Sequence, residues 1–379
     1  TPRARGRGAL AGGGGARAVY KTRKARKPVR MLRNRADWRC VLWVAKYFCL
    51  TALAWQHHTA LRVSPALHLA AVAVLCYYSF AGATIVHNTM HARCFHSRTL
   101  ERLWHHVLSL TYGHPVSSFV PGHNLSHHRH TQTRKDPMRT SKLRYRWNLL
   151  NGLLFQPTVA WDVLRMDLRS LALKRMQRDA FFARACREWL VLAAAQAALL
   201  ALDWRRFVLY VWLPHAFAQW AIVSMNMLQH DGCDAEPKTP VNWNGSRNFV
   251  GPVLNYLTFN NGFHTIHHLH PTMHWSRLAH EHATQVRPHI HPALEQRCMA
   301  RYICAAFVYP GARVDYRGKA VVLAEADGAG DEDWTLEHAG AGTKLEDYDV
   351  DVPLRALCRV VCVLPLKLAC PMYSPVYKL

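Results

Sequence analysis

Residues 64–91, SPALHLAAVAVLCYYSFAGATIVHNTMH, join an apolar run to a pair of histidines. A helix rises about 1.5 Å per residue, so the apolar part, 64–86, is long enough to cross ~30 Å of hydrocarbon. His87 and His91 follow where that helix would leave the membrane, and their i, i+4 spacing puts both imidazoles on one helical face. The stretch predicts a membrane-spanning helix that ends in two potential metal ligands.

Three other apolar segments accompany it, at about 38–55, 188–203 and 206–226. The loops between neighbouring segments, around 56–63 and 203–206, are short, so the four segments pair as two hairpins. Each hairpin returns the chain to the side from which it came. The sequence therefore predicts an all-α integral membrane protein with four transmembrane helices in two hairpins and a helical, histidine-rich cap on one side, cytosolic or stromal.

The chain is strongly basic, with 48 Lys and Arg against 24 Asp and Glu and a formal net charge of +24. The basic residues form one block in the N-terminal tail and another at 129–187, and each block flanks an apolar segment. This layout follows the positive-inside rule, and no nucleic-acid-binding motif accompanies it. We therefore expect a lipid bilayer, and no nucleic acid, as a partner. The 11 cysteines include no C-x-x-C pair, which argues against a zinc ribbon.

Two more histidine clusters follow the first, at 123–128 (HNLSHH) and 264–268 (HTIHH). One helical pair of histidines is more often a polar surface than a metal site. Three clusters beside membrane segments are not explained in that way, because unpaired imidazoles are costly to bury there. The two-hairpin topology brings all three to the basic side, where eight imidazoles could form one metal site. His128 is turned by about 100° from His127 and could reach a second metal.

The motifs H-x3-H, H-x3-H-H and H-x2-H-H, in this order around two hairpins, resemble those of the integral-membrane fatty acid desaturase family and its hydroxylase and ketolase relatives. The resemblance covers about residues 38–318. It extends to HRHTQTRKDP at 128–137 and to NNGFH at 260–264, which flank the second and third motifs. These features are specific for the family and say little about the substrate.

The resemblance implies a di-iron centre on the cap. The fourth apolar segment ends in Asn226-Met-Leu-Gln-His230, which is similar to an N-x3-H sequence of acyl-CoA desaturases. By that similarity His230 is a ninth histidine ligand, and Asn226 holds a metal through water. The implied metal ligands are His87, His91, His123, His127, His128, His230, His264, His267, His268 and Asn226.

Other polar residues near the motifs are open to more than one interpretation. Asp136 and Asp231 either accept an imidazole N–H, which fixes the tautomer of the ring, or are solvated loop acids. His130, His270 and His274 flank the motifs and could also orient ligands. Six further histidines lack the motif spacing and are predicted to be polar or interfacial: His57, His58, His105, His106, His114 and His215.

The resemblance implies an oxidoreductase that uses O2 to introduce a double bond into a fatty acyl chain. The alternative is a di-iron hydroxylase or ketolase that acts on a carotenoid or another lipid. A histidine-rich metal transporter is disfavoured, because its ligands should lie inside the spans and its halves should repeat. The chain contains no His-Pro-Gly-Gly haem motif. Electrons are therefore expected from a separate protein, cytochrome b5 in the endoplasmic reticulum or ferredoxin in a plastid.

Composition divides the chain into four parts. Residues 1–36 are predicted to be a basic disordered or targeting segment, and 37–320 the membrane desaturase domain with its catalytic cap. Residues 321–352, rich in Gly, Ala and acids, are predicted to be a flexible linker, and 353–379 an apolar C-terminal tail. We expect a multi-pass protein of the endoplasmic reticulum or plastid membrane.

Overall fold

A computed structural model describes residues 31–235, 241–321 and 331–338 of the chain, and these residues are mostly helical. The predicted basic segment up to residue 30, most of the predicted linker and the whole predicted C-terminal tail lie outside the described residues.

The α-helices are numbered in chain order, and a helix that includes a π segment carries a single label. They are α1 (Trp38–Gln56), α2 (His58–Val63), α3 (Pro65–His91), α4 (Arg98–Tyr112), α5 (His128–His130), α6 (Asn148–Met176), α7 (Ala180–Leu202), α8 (Trp204–His230), α9 (Pro252–Leu257), α10 (His264–Leu269), α11 (Leu278–Glu281) and α12 (Met299–Val308). Two short strands, β1 (Asn248–Phe249) and β2 (Glu295–Gln296), pair in parallel. Single π turns occur at Val120–His127 and His282–Val286, and 3-10 turns at Arg35–Asp37, Val116–Ser118, Thr140–Lys142, Trp275–Arg277, Pro292–Leu294 and Thr335–His338.

Side-chain caps start the long helices where the chain turns back. At the start of α3, Ser64 Oγ accepts a hydrogen bond from the Leu67 N–H, and Pro65 occupies the first turn. Asp179 and Asp203 accept backbone N–H bonds at the starts of α7 and α8. Such caps satisfy N–H groups that have no partner within the helix. α1 packs against α3, whereas α7 contacts the first turn of α8, at Trp204–Phe207, beside the loop that joins the two helices.

Within the described residues, three helices are long and apolar enough to cross a membrane: α3, α7 and α8. α1 has 19 residues and is not among them, and it contains Arg39 and Lys46. The Arg39 guanidinium stacks over the ring of Tyr256, 4.0 Å from its centroid, so this charge is held against a residue near the cap. The fourth span at 38–55 therefore stays a prediction.

α3 lies at the centre of the fold and packs against α1, α4 and α8. Gly82 allows α4 to come close, because a Cβ at this position would lie 2.6 Å from Thr111 Cγ2. One turn earlier, Ser79 Oγ donates a hydrogen bond of 2.9 Å to the Thr111 carbonyl. These contacts hold in place the end of α3 that carries His87 and His91.

Residues 331–338 belong to the stretch predicted to be a flexible linker, yet they pack against the cap. Trp334 is 1% exposed, and its Nε1–H points to the Met166 sulfur on α6 at 3.0 Å. Asp331 forms ion pairs with Arg139 and with Lys142. The acids of these eight residues pair with the basic block after the second histidine motif, and the flexible linker over 321–352 stays a prediction. Further pairs are Asp333–Arg169, Glu332–Arg134 and Glu337–Lys135.

Candidate metal centre

The three histidine motifs lie on separate elements. His87 and His91 occupy the last two turns of α3. His123 and His127 lie on the π turn Val120–His127, which continues directly into α5. The third motif begins α10 at His264. Local widening of a helix into a π turn is frequent at functional sites. The folded chain thus presents histidines from one long helix, one π turn and one short helix.

All nine predicted histidines converge in two groups, and within each group the candidate ligand nitrogens lie within 4.8 Å of one another. The first group consists of His87, His91, His123, His128 and His267. The second consists of His127, His230, His264 and His268.

The Nε2 atoms face each other within each group. In the first group His128 Nε2 lies 3.1 Å from His123 Nε2 and 3.1 Å from His267 Nε2. In the second group His264 Nε2 lies 2.9 Å from His230 Nε2. Two nitrogens that bind one metal at about 2.1 Å and at roughly right angles are ~3 Å apart. The spacing therefore fits a metal ion in each group.

Neighbours in sequence are divided between the groups. His127 belongs to the second group and His128 to the first, while His267 belongs to the first and His268 to the second. Successive helical residues project about 100° apart, so adjacent side chains reach different points. The double histidine in each motif therefore connects the two groups, and the separation expected for His128 from His127 is present.

The imidazoles on the cap are held in their neutral form. Burial lowers the pKa of these rings well below the ordinary value, since desolvation penalises the charged form, and neighbouring imidazoles lower it further. The rings concerned are His123, His128, His264, His267 and His268. Because a metal binds neutral imidazole, these ligands need lose no proton at neutral pH.

Asp136 orients one of the rings. Its Oδ2 lies 2.8 Å from His127 Nδ1, and both side chains are fully buried. Burial by itself would raise the pKa of Asp136, but interaction with His127 and hydrogen bonds from the N–H groups of Gln132 and Met138 hold the pKa below its ordinary value. A carboxylate can only accept, so Nδ1 carries the proton and Nε2 faces the second group. The imidazole-orienting interpretation of Asp136 is confirmed.

His230 is oriented by a backbone group instead. Its Nδ1 donates to the Gly245 carbonyl at 2.9 Å, which leaves Nε2 facing His264. Asp231 bonds to no imidazole. It is 1% exposed and pairs with Arg313, whose Nε and an amino nitrogen lie 2.8 and 2.5 Å from its two oxygens. Both interpretations of Asp231, as an imidazole partner and as a solvated acid, are wrong, because its buried carboxylate forms an ion pair with Arg313, which is far from it in the sequence.

Asn226 lies beside the histidines on α8. It is 8% exposed, and neither its Oδ1 nor its Nδ2 has a hydrogen-bond partner within the part of the chain that the structure describes. A buried amide without a partner is costly. Asn226 also faces a cavity of about 320 Å³, whose wall includes His87, His123 and His264. An amide in this position could bond to a water molecule held by a metal.

The three flanking histidines lie beside side chains outside the two groups. His130 lies 3.3 Å from a Glu337 oxygen, and His270 and His274 bond to Gln285 and Asp37. Of the histidines without motif spacing, two bond to buried tyrosines: His58 to Tyr210 and His215 to Tyr47. His105 lies 3.4 Å from Glu188, and His114 lines the cavity.

Replacing Asp136 with asparagine is expected to weaken metal binding. The ring of His127 would lose its negatively charged partner, and loss of a group that orients a metal ligand usually costs about 10- to 100-fold in affinity or activity. The metal content of purified protein, measured against a chelator series, tests this. Asp162→Asn, which changes an acid that pairs with Lys142, is the matched control and should bind metal as the wild type does. Equal retention by both variants would contradict the role of Asp136.

Comparison with known proteins agrees with this arrangement. A family model described as Fatty acid desaturase matches residues 63–297. The matched range contains all three histidine motifs, Asn226 and His230. No curated protein matches the chain. Since the matched range covers more than half of the 379 residues, the chain belongs to the fatty acid desaturase family.

Proposed function

We propose that the protein is a membrane-bound di-iron desaturase that introduces a double bond into a fatty acyl chain, using O2 and electrons from a separate donor. The observation that carries the proposal is the pair of histidine groups next to an apolar cavity. The family supports the reaction class, because its members are oxidoreductases. Three apolar helices long enough to span a bilayer fit a lipid substrate.

Iron is the metal that the donor set supports best. Structural zinc sites usually hold four ligands, whereas the groups here offer five and four imidazoles, with Asn226 nearby. Neither group contains a cysteine, so the soft donors that select copper(I) are not part of the set. Two irons bound here would supply the activation of O2 that removes hydrogen from an unactivated C–H bond. The proposed ligands are the nine histidines and, through water, Asn226.

The contribution of the protein is to hold the acyl chain and keep water away. The cavity beside the histidines has mainly apolar walls, and its histidines come from both groups, His123 from the first and His264 from the second. An acyl chain in this cavity would therefore pass both metal positions. Fixing one C–H bond close to the reacting centre removes much of the entropic cost of the reaction.

We propose further that α1 with α3, and α7 with α8, form the two membrane hairpins, so that the metal centre faces the cytosol or stroma. Arg129 and Arg134 on this face are about half exposed and lie 3.6 and 3.7 Å from Glu337 and Glu332, so an acidic electron carrier that docks here would compete with these two glutamates. The carrier is cytochrome b5 if the membrane is that of the endoplasmic reticulum and ferredoxin if it is that of a plastid.

Expression in a desaturase-deficient yeast, together with a cytochrome b5 donor, tests the proposal. We expect an unsaturated fatty acid that is absent from cells carrying the empty vector, detected by mass spectrometry of total lipids. Purified protein should contain two irons per chain. A hydroxylated lipid in place of the alkene would instead support the hydroxylase alternative. Absence of any oxidised lipid together with absence of bound iron would refute a di-iron enzyme.

A further inference from the structure

The cavity beside the metal centre contains one acid among apolar side chains. Its wall includes Val159, Val163, Leu164 and Ile222, and also Asp167, on the same helix as the first three. Asp167 is 5% exposed, and its Oδ1 has no hydrogen-bond partner within the described residues. This carboxyl oxygen therefore has no partner in the protein and can form a hydrogen bond with a ligand in the cavity.

The carboxyl lies close to a proposed ligand of the first group. A Cβ built on Gly122 would come within 3.2 Å of Asp167 Oδ1, and Gly122 immediately precedes His123. Any group bound to Asp167 would consequently sit near the backbone that positions this histidine.

Burial makes this oxygen costly to leave without a partner. Desolvation raises the pKa of Asp167 well above its ordinary value, and only the N–H of Gly122 acts in the opposite direction. The shift favours the protonated form, and in either form the carboxyl oxygen without a partner can accept a hydrogen bond. A structural acid at such a position would normally be paired, because a buried unpaired polar group is destabilising.

Two other polar side chains of the cavity bond within the protein. Gln219 Nε2 donates to the Gly113 carbonyl at 3.1 Å, and Trp189 Nε1 donates to Ser118 Oγ at 3.2 Å. Asn226 has no partner within the described residues, but it lies on α8 and is assigned above to a water held by a metal. Asp167 is therefore the cavity residue outside the proposed ligand set whose carboxyl oxygen faces the cavity without a partner.

We propose that Asp167 binds a hydroxyl or secondary amide of the substrate, and that the substrate is an amide-linked or hydroxylated acyl lipid. This inference rests on the proposed function, because it assigns the cavity to the substrate. The N–H of a secondary amide or the O–H of an alcohol can donate to the unpaired oxygen of Asp167 whether or not the carboxyl is protonated. An ester or thioester has no such donor. The carbon that is oxidised would lie a few bonds from this polar group.

Two probes that differ in one group test the proposal: N-ethylhexadecanamide and ethyl hexadecanoate. Binding of each to the purified full chain with its metal is measured by competition against the radiolabelled amide. We expect the wild type to bind the amide roughly tenfold more tightly, the effect of one hydrogen bond to a buried group. Asp167→Leu should reduce the ratio to about one, and Asp167→Asn, which can still donate and accept, should keep most of it.

Asp162→Leu is the matched control, because Asp162 lies on the same helix and outside the cavity wall, and this variant should keep the wild-type ratio. Equal binding of the two probes by the wild type would overturn the proposal, and so would an unchanged ratio in Asp167→Leu. The comparison of amide and ester binding by the wild type tests the proposal even if a variant protein is not produced. Turnover is measured separately. A preference for the amide without any oxidised lipid would refute the proposed reaction but still support the binding role of Asp167.

Discussion

Replacement of His267 with alanine is expected to lower product formation by at least about a hundredfold while the protein remains in the membrane. His267 Nε2 lies 3.1 Å from His128 Nε2, and its ring centroid is 4.4 Å from that of His87. The side chain is therefore part of the first group itself. Loss of a residue that only orients a ligand already costs about 10- to 100-fold, so loss of a ligand should cost more.

Three measurements distinguish loss of a ligand from loss of the fold. The variant should appear in the membrane fraction at the wild-type level, contain less iron per chain and form no detectable oxidised lipid. His270→Ala is the matched control, because His270 lies one turn further on, is exposed and bonds to Gln285. It should keep both iron and activity. Wild-type activity in His267→Ala would show that His267 is not a ligand.

Arg313→Met is expected to destabilise the cap by about 3–5 kcal/mol, since removing one member of a buried ion pair leaves the other charge buried and unpaired. The side chains of Arg313 and Asp231 are only 3% and 1% exposed. Asp231 directly follows His230, so its displacement should also weaken the second histidine group. The expected result is a lower midpoint of thermal unfolding in detergent, together with less bound iron.

Arg317→Met provides the comparison, because Arg317 is 48% exposed and lies 3.6 Å from Asp234. An exposed pair of this kind contributes at most about 1 kcal/mol, so the midpoint should barely move. The double variant Asp231→Leu with Arg313→Met should recover part of the lost stability, since it leaves no buried charge. A midpoint for Arg313→Met equal to that of the wild type would show that the pair does not support the cap.

Much of the candidate metal centre could be predicted from the sequence because its histidines lie in local patterns. An i, i+4 pair such as His87 and His91 reports one helical face, and a double histidine such as His127 and His128 reports two directions. Asp136 follows closely after His127, so its contact with that ring is also local. The apolar segments at 64–86, 188–203 and 206–226 likewise fall on α3, α7 and α8, whereas α6 was not predicted.

Contacts between residues that are far apart in the sequence could not be predicted from local patterns of this kind. Asp231 and Arg313 are 82 positions apart, and no periodicity connects them. Asp167 resembles any other acid on a mixed helix, and only the surrounding packing separates it from solvent. The burial of Trp334 could not be predicted either, because a single aromatic residue in an acidic, glycine-rich stretch does not indicate a segment that packs against the fold. The span count at α1 depends on how its two cations are placed, which hydropathy does not report.

The ion pair between Asp331 and Arg139 joins residues 192 positions apart. A ribosome therefore completes the second histidine motif, both helical hairpins and the third motif before it adds Asp331. Until then, Arg139 and Lys142 cannot form their ion pairs with Asp331, and the surface of α6 that contacts Trp334 stays uncovered. The loop that carries Asp136 consequently reaches its final set of ion pairs late in biosynthesis, after the remainder of the cap has been translated.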